Sequence, residues 1–156
     1  MFAHPLTADA LVTWVASRSR KGAPAPVMSP VLAVVPSVVS RGTVLVVDDE
    51  HPFRISAHRI LTAQGYNVLH AATASEALRL CATHRGEIDI VLTDLFLTDW
   101  QGHKLAAHLR NMYPELRVMF MSGDPAGSQF AGTDTFLAKP FSRQQLVASV
   151  ALALAS

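Results

Sequence analysis

One recurring unit constrains this chain more than anything else: a short, continuous apolar run that stops at a charged residue, followed by a stretch with helical spacing. Thr43-Val44-Leu45-Val46-Val47 runs into Asp48-Asp49, and Ile88-Asp89-Ile90-Val91-Leu92-Thr93 runs into Asp94. Asp134-Thr135-Phe136-Leu137-Ala138 runs into Lys139-Pro140. Continuous rather than alternating apolar runs are how strands read when a parallel sheet is covered on both faces. In open α/β sheets the carboxyl ends of the strands line one crevice, where ligands bind. Three acids and a lysine delivered to one crevice make a divalent-cation site around a carboxylate that is open to phosphorylation.

The same reading extends along the chain. Strands are expected over 43–48, 67–71, 88–93, 116–121 and 134–138, and helices over 52–64, 74–84, 101–112 and 142–154, with a weak helical signal over 125–131. Pro52 suits a first helical turn and Gly65 a helix end. Thr73-Ala74-Ser75-Glu76 has the pattern of a capping box. Ser142 is placed to cap the last helix, where Leu146, Val147, Val150 and Leu154 recur at helical spacing. Five βα units without internal repeats imply a doubly wound sheet.

The first forty-odd residues read differently. Five of the nine prolines (Pro5, Pro24, Pro26, Pro30 and Pro36) fall there, and they break the apolar stretch 23–39 into pieces too short to span a bilayer as a helix. Met1-Phe2-Ala3-His4 lacks the positive start of a secretion signal. Residues 1–42 are therefore expected to be a flexible segment and 43–156 the folded domain, with a short helix conceivable over 7–17 and Met28 as an alternative start. Residues 1–42 hold four basic residues against one acidic, and residues 43–156 hold nine against eleven. Neither part has the dense basic face of a nucleic-acid binder, so no nucleic-acid or membrane partner is expected. The single cysteine, Cys81, cannot form an internal disulfide; it fits a reducing, cytoplasmic setting and reads as a buried thiol.

Taken together, the motifs resemble the receiver domain of two-component response regulators, the CheY-like family. The resemblance covers roughly Thr43 to Ala153. Asp48 and Asp49 stand at the family's metal-binding acid pair and Asp94 at its phosphoacceptor. Ser122, ending Val118-Met119-Phe120-Met121, matches the hydroxyl residue after the fourth strand. Lys139 matches the family lysine, Phe136 the switch aromatic ahead of it, and Gly102, eight residues after Asp94, the loop glycine. The resemblance implies the strand order 2-1-3-4-5, which makes Asp48, Asp49 and Asp94 neighbours.

It also implies a chemistry. Three clustered carboxylates repel one another by roughly 4 kcal/mol per pair at about 4 Å with an effective dielectric near 20. A hard cation relieves that repulsion, and Mg²⁺ suits a few carboxylates, a carbonyl and waters. By resemblance, Asp49 and Asp94 would hold Mg²⁺ directly, Asp48 through water, and the carbonyl of Phe96 would complete the protein ligands. Asp94 would take a phosphoryl group from a sensor histidine kinase or a histidine phosphotransfer protein, assisted by Lys139 and Ser122. Ser122 and Phe136 would then switch position and change the surface offered to a downstream protein.

Some residues depart from the family pattern. Thr98, four after Asp94, stands where the family usually has proline. Phe96 is bulky beside the acceptor, and Asp124, two after Ser122, is acidic. Only 17 residues separate Ser122 from Lys139, shorter than the family's usual spacing, and Gly123, Pro125, Gly127 and Gly132 crowd the interval. The fourth helix is expected to be shortened or missing. Glu50, following the acid pair, reads as a helix-start charge rather than a ligand. His103 and His108, five apart, do not share a helix face, so none of the seven histidines suggests a metal cluster.

With two residues after Leu154 and no output domain in view, the expectation is a stand-alone receiver that is not an enzyme in its own right. One alternative is a degenerate receiver that docks a partner without phosphate. An aspartyl-nucleophile phosphatase is disfavoured, because those carry Asp-x-Asp after the first strand and Asp48 and Asp49 are adjacent.

Overall fold

A computed structural model describes residues 40–132 and 134–155. The flexible segment expected over 1–42 and the helix over 7–17 fall outside the described residues, apart from positions 40–42. Five parallel strands form one sheet in the order β2-β1-β3-β4-β5, as the resemblance implied. They are β1 (Thr43–Val47), β2 (Asn67–Ala71), β3 (Ile90–Asp94), β4 (Arg117–Ser122) and β5 (Thr135–Ala138). The helices are α1 (His51–Thr62), α2 (Ala74–Thr83), α3 (Gly102–Met112), α4 (Ser128–Ala131) and α5 (Arg143–Ala155). The helices α1 to α4 each lie in a crossover between parallel strands, the connection such strands require, and α5 follows the last strand.

Alternate side chains of the buried strands serve opposite layers. Val44 and Val46 point to one face and pack with Ala57 and Leu61 of α1 and Leu146 and Val150 of α5. Leu45 and Val47 point to the other, against Ala74, Ala77 and Cys81 of α2 and Leu105 and Leu109 of α3. Leu45, Leu61, Leu92, Leu105 and Leu146 are fully buried. Truncating one of them to alanine costs about 2–5 kcal/mol in a close-packed core. The continuous apolar runs in the sequence have their physical cause here.

Element boundaries follow local chemistry. Pro52 lies in the first turn of α1, and Gly65, at φ 88°, turns the chain after that helix toward β2. At α2, Thr73 Oγ1 accepts from Glu76 N, while the Glu76 carboxylate accepts from Ala72 N, one residue earlier than a strict capping box. At α5, Gln145 N donates to Ser142 Oγ and Ser142 N donates to the Gln145 side chain, so the expected serine cap is a full reciprocal box. The third strand starts at Ile90 rather than Ile88, because the Asp89 carboxylate turns aside to accept from Thr43 N at 2.7 Å.

The weak helical signal over 125–131 is a 3₁₀ turn, Pro125–Gly127, followed by the four residues of α4. The expected shortening of the fourth helix is therefore found. Among the described residues, no helix is long and apolar enough to cross a membrane.

Candidate functional site

Parallel pairing sets the carboxyl ends of β1, β3, β4 and β5 at one edge of the sheet: Val47 lies opposite Thr93, Asp94 opposite Met121, and Ser122 opposite Ala138. The residues that follow or end these strands (Asp48, Asp94, Ser122 and Lys139) thus meet there. Gly102 makes the close approach possible. A Cβ at that position would overlap the Asp94 carbonyl, and Gly102 N donates to Leu95 O at 2.8 Å. The start of α3 is thereby pressed against the strand that carries Asp94.

Lys139 is the hub. Its ammonium lies 2.5 Å from Asp94 Oδ2, 2.7 Å from Asp48 Oδ2 and 3.6 Å from Glu50 Oε1. It also sits 4.6 Å from the ring centre of Phe53, a cation–π contact that covers the charge on its apolar side. The lysine side chain is 4% exposed and Asp48 is 0% exposed. Its main-chain N–H donates to Ser122 O, which ties the lysine to the end of β4.

The carboxylates are oriented by main-chain donors: Asp48 Oδ1 accepts from Glu50 N at 2.9 Å and Asp94 Oδ1 from Phe96 N at 3.0 Å. Asp48 Oδ2, fully enclosed, has the ammonium beside it but no hydrogen bond of good direction. Burial, the largest influence, pushes the Asp48 carboxyl above its usual range despite Lys139. Burial also acts to lower the Lys139 pKa, but its contacts with Asp48 and Asp94 outweigh that and hold the ammonium above its ordinary value. One ammonium faces three carboxylates here, so the pocket carries formal negative charge in excess.

Carboxylate oxygens of Asp48, Glu50 and Asp94 lie within 4.8 Å of one another. Glu50 is more than the helix-start charge expected from the sequence. It does occupy the N-cap of α1, without capping by its side chain, and it also faces Lys139. Asp49, expected as a direct ligand, is exposed at the rim, and its Oδ2 accepts from the hydroxyl of Thr98 at 2.5 Å. Phe96 is 51% exposed at the mouth of the site. Ser122 is buried at the end of β4, its Oγ accepting from Asp124 N. Phe136 is half-buried against the cluster of Leu95, Ala106, Val118 and Phe120.

A family model described as "Response regulator receiver domain" matches residues 44–151. The chain belongs to the response regulator receiver family. Receiver domains of two-component systems take a phosphoryl group, bind Mg²⁺ at an acidic pocket, and partner with histidine kinases or phosphotransfer proteins.

Among curated proteins, this receiver is 37% identical over 117 residues to "Sensor kinase CckA" of Brucella abortus, covering 69% of this chain and 12% of the relative. It is 35% identical over 116 residues to "Transcriptional regulatory protein KdpE" of Mycobacterium tuberculosis, covering 71% of this chain and 50% of the relative. The chain thus spans half or less of these multidomain relatives. Among solved structures, the receiver domain of a hybrid histidine kinase CckA aligns with a TM-score of 0.64 at 35% identity, covering 72% of this chain and 99% of that one. A response regulator receiver protein of Sinorhizobium medicae aligns at 0.68 and 25% identity, covering 77% and 98%.

The acidic pocket suits a cation by its own chemistry. It gathers three hard carboxylate donors within 4.8 Å of one another around a single ammonium, an excess of negative charge that a hard divalent cation would offset.

Proposed function

We propose that this receiver takes a phosphoryl group on Asp94 from the phosphohistidine of a sensor kinase or phosphotransfer protein in a Mg²⁺-dependent reaction. It then signals, as a stand-alone cytoplasmic protein, by protein contact or by passing the group on. The observation that carries this reading is the setting of Asp94: nearly buried at a strand end, with one oxygen against Lys139 and the other held by Phe96 N–H. A carboxylate oxygen attacks phosphorus, the P–N bond to the histidine breaks, and the imidazole leaves with the bonding pair and takes up a proton. No enzyme turnover is implied, because the chain itself is modified.

Lys139, fixed by two carboxylates and the Phe53 ring, presents a compact positive charge to the transferring group. Asp49, Asp94 and the Phe96 carbonyl would hold Mg²⁺, with Asp48 behind them. When bound, Mg²⁺ neutralises charge on the phosphoryl oxygens. Phosphorylation adds about one negative charge and several acceptors at Asp94. The Ser122 hydroxyl, placed on the adjoining strand end, would donate to one of them, and Phe136 would move into the space released. Gln144 and Gln145, exposed at the start of α5, would carry the readout, with Leu146 anchoring that turn in the core.

The test is acetyl phosphate with Mg²⁺, read by intact mass. The wild-type chain is expected to gain one phosphoryl group, and Asp94→Asn, which keeps size but lacks the nucleophile, none. Equal gain in the variant would move the acceptor elsewhere. No gain in the wild type would favour a phosphate-independent docking module.

A further inference from the structure

We infer that Thr98 is a positioning residue for the metal ligand Asp49, and that Thr98 and Asp99 together replace the rigidity which a proline would give this loop. The inference rests on the metal assignment proposed above. Its observation is the hydrogen bond from Thr98 Oγ1 to Asp49 Oδ2, 2.5 Å long, between residues 49 apart in sequence.

Asp49 has little else to hold it. It is exposed at the rim and lies outside the cluster formed by Asp48, Glu50 and Asp94. An exposed carboxylate without a fixed partner samples several rotamers, and ordering it on metal binding costs conformational entropy. The Thr98 hydroxyl removes part of that cost by holding one oxygen and leaving Oδ1 free for a cation. Groups that orient metal ligands in this way typically govern affinity by about 10–100-fold.

The brace works only if Thr98 is itself held. Its neighbour Asp99 is anchored to the N-terminus of α2: one carboxylate oxygen accepts from Ala74 N at 2.9 Å and the other from Ser75 N at 3.0 Å and Ser75 Oγ at 2.9 Å. Leu97 N donates to Trp100 O, and Phe96 pairs with Gln101, closing the loop on itself. The segment from Asp94 to Gly102 is therefore tied on one side to the loop after β1 and on the other to α2. A proline at position 98 could restrict its own φ but could not donate to Asp49.

The test is Mn²⁺ binding to the full chain, followed by the paramagnetic resonance signal of the free ion, a readout independent of phosphorylation. Thr98→Val and Thr98→Ala are expected to weaken binding about ten-fold or more, and Thr98→Ser, which keeps the hydroxyl, to stay within about two-fold of wild type. Thermal melts without metal report whether each variant is folded. A wild-type chain that binds no Mn²⁺ would remove the metal assignment itself. Wild-type binding with unchanged or tighter affinity in the valine and alanine variants would leave that assignment standing and overturn the role of Thr98. An equal loss in the serine variant would overturn it as well, since the hydroxyl would not be the cause.

Discussion

Gly127 stands against Ser122 so closely that a Cβ on the glycine would lie 3.1 Å from the serine Cβ and 3.2 Å from its hydroxyl oxygen. The shortened connection after β4 thus rests its backbone directly on the hydroxyl residue of the site. The Gly127 backbone, at φ −59° and ψ −28°, would accept alanine without strain, and alanine gains about 1 kcal/mol over glycine in helical geometry. Crowding of Ser122 and of the Leu95 methyl works against this, and overpacking typically costs about 1–3 kcal/mol. Gly127→Ala is expected to be less stable by about 1 kcal/mol, lowering the melting midpoint by about 4 °C. A midpoint at or above wild type would mean that Ser122 gives way freely.

The Asp99 carboxylate satisfies the first two N–H groups of α2 and Thr73 the third, so the opening turn is fully capped. Asp99→Ala is expected to cost about 1 kcal/mol in urea unfolding, the usual worth of a cap. Slight burial acts to raise the Asp99 pKa, but the donors from Ala74 and Ser75 outweigh it and hold the carboxyl below its ordinary value. A depressed acid stabilises the fold above its unfolded pKa of about 3.9 and loses that contribution as pH falls through its lower folded value. The wild-type advantage over the alanine variant should therefore be constant from neutral pH down to about 4 and shrink only below that. An advantage that vanished by pH 6 would contradict this origin.

Removing the Lys139 charge leaves Asp48 and Asp94 buried without their cation. Breaking a buried pair by deleting one partner costs about 3–5 kcal/mol, and Lys139→Met is expected to fall in that range at pH 7 without metal. Asp48 already binds its proton more tightly when folded than when unfolded. Lowering pH from neutral toward that raised value therefore favours the folded chain, and the deficit of the variant should narrow by pH 5. Lys139, also raised, stabilises the wild type fully below about 10.4, its unfolded value, and loses this as pH rises through the folded one. Denaturant titrations at pH 5 and 7 measure the narrowing, and at pH 9, still below about 10.4, the lysine contribution should be undiminished. A deficit that widened at pH 5 would place the buried charge elsewhere.

The strands and the residues at their ends were legible because each rests on a local pattern: a run such as Val44–Val47, buried on both faces, must be apolar throughout, whereas the strand order came only from the family resemblance. The clipped fourth helix was legible from the crowding of glycine and proline between Ser122 and Lys139. The partner of Thr98 could not be read, nor that of Asp99, because each lies across the fold and is fixed by tertiary geometry. Phe53 beneath Lys139 gave no signal for the same reason. The turn of Glu50 toward Lys139 was missed because its place at the start of α1 already accounted for its charge. Gln145, three residues after Ser142, did carry the signature of a reciprocal cap and could have been found.

The helix α4 has four residues, about 6 Å of rise at roughly 1.5 Å per residue, preceded by a single 3₁₀ turn. It ends at Gly132 with φ 61°, a left-handed conformation that stops further helical growth. A stable symmetric interface needs about 800 Å² from each partner, and one helical turn with its flanks supplies only a fraction of that. A dimer driven by phosphorylation and centred on this helix is therefore not expected. Light scattering of the full chain at about 100 µM, with and without beryllofluoride as a phosphoryl mimic, should show no mass change that depends on α4. Should a dimer form, Gln129→Arg, which places a charge on the exposed side of that helix, is expected to leave it intact. A dimer abolished by that one substitution would show that a single turn suffices.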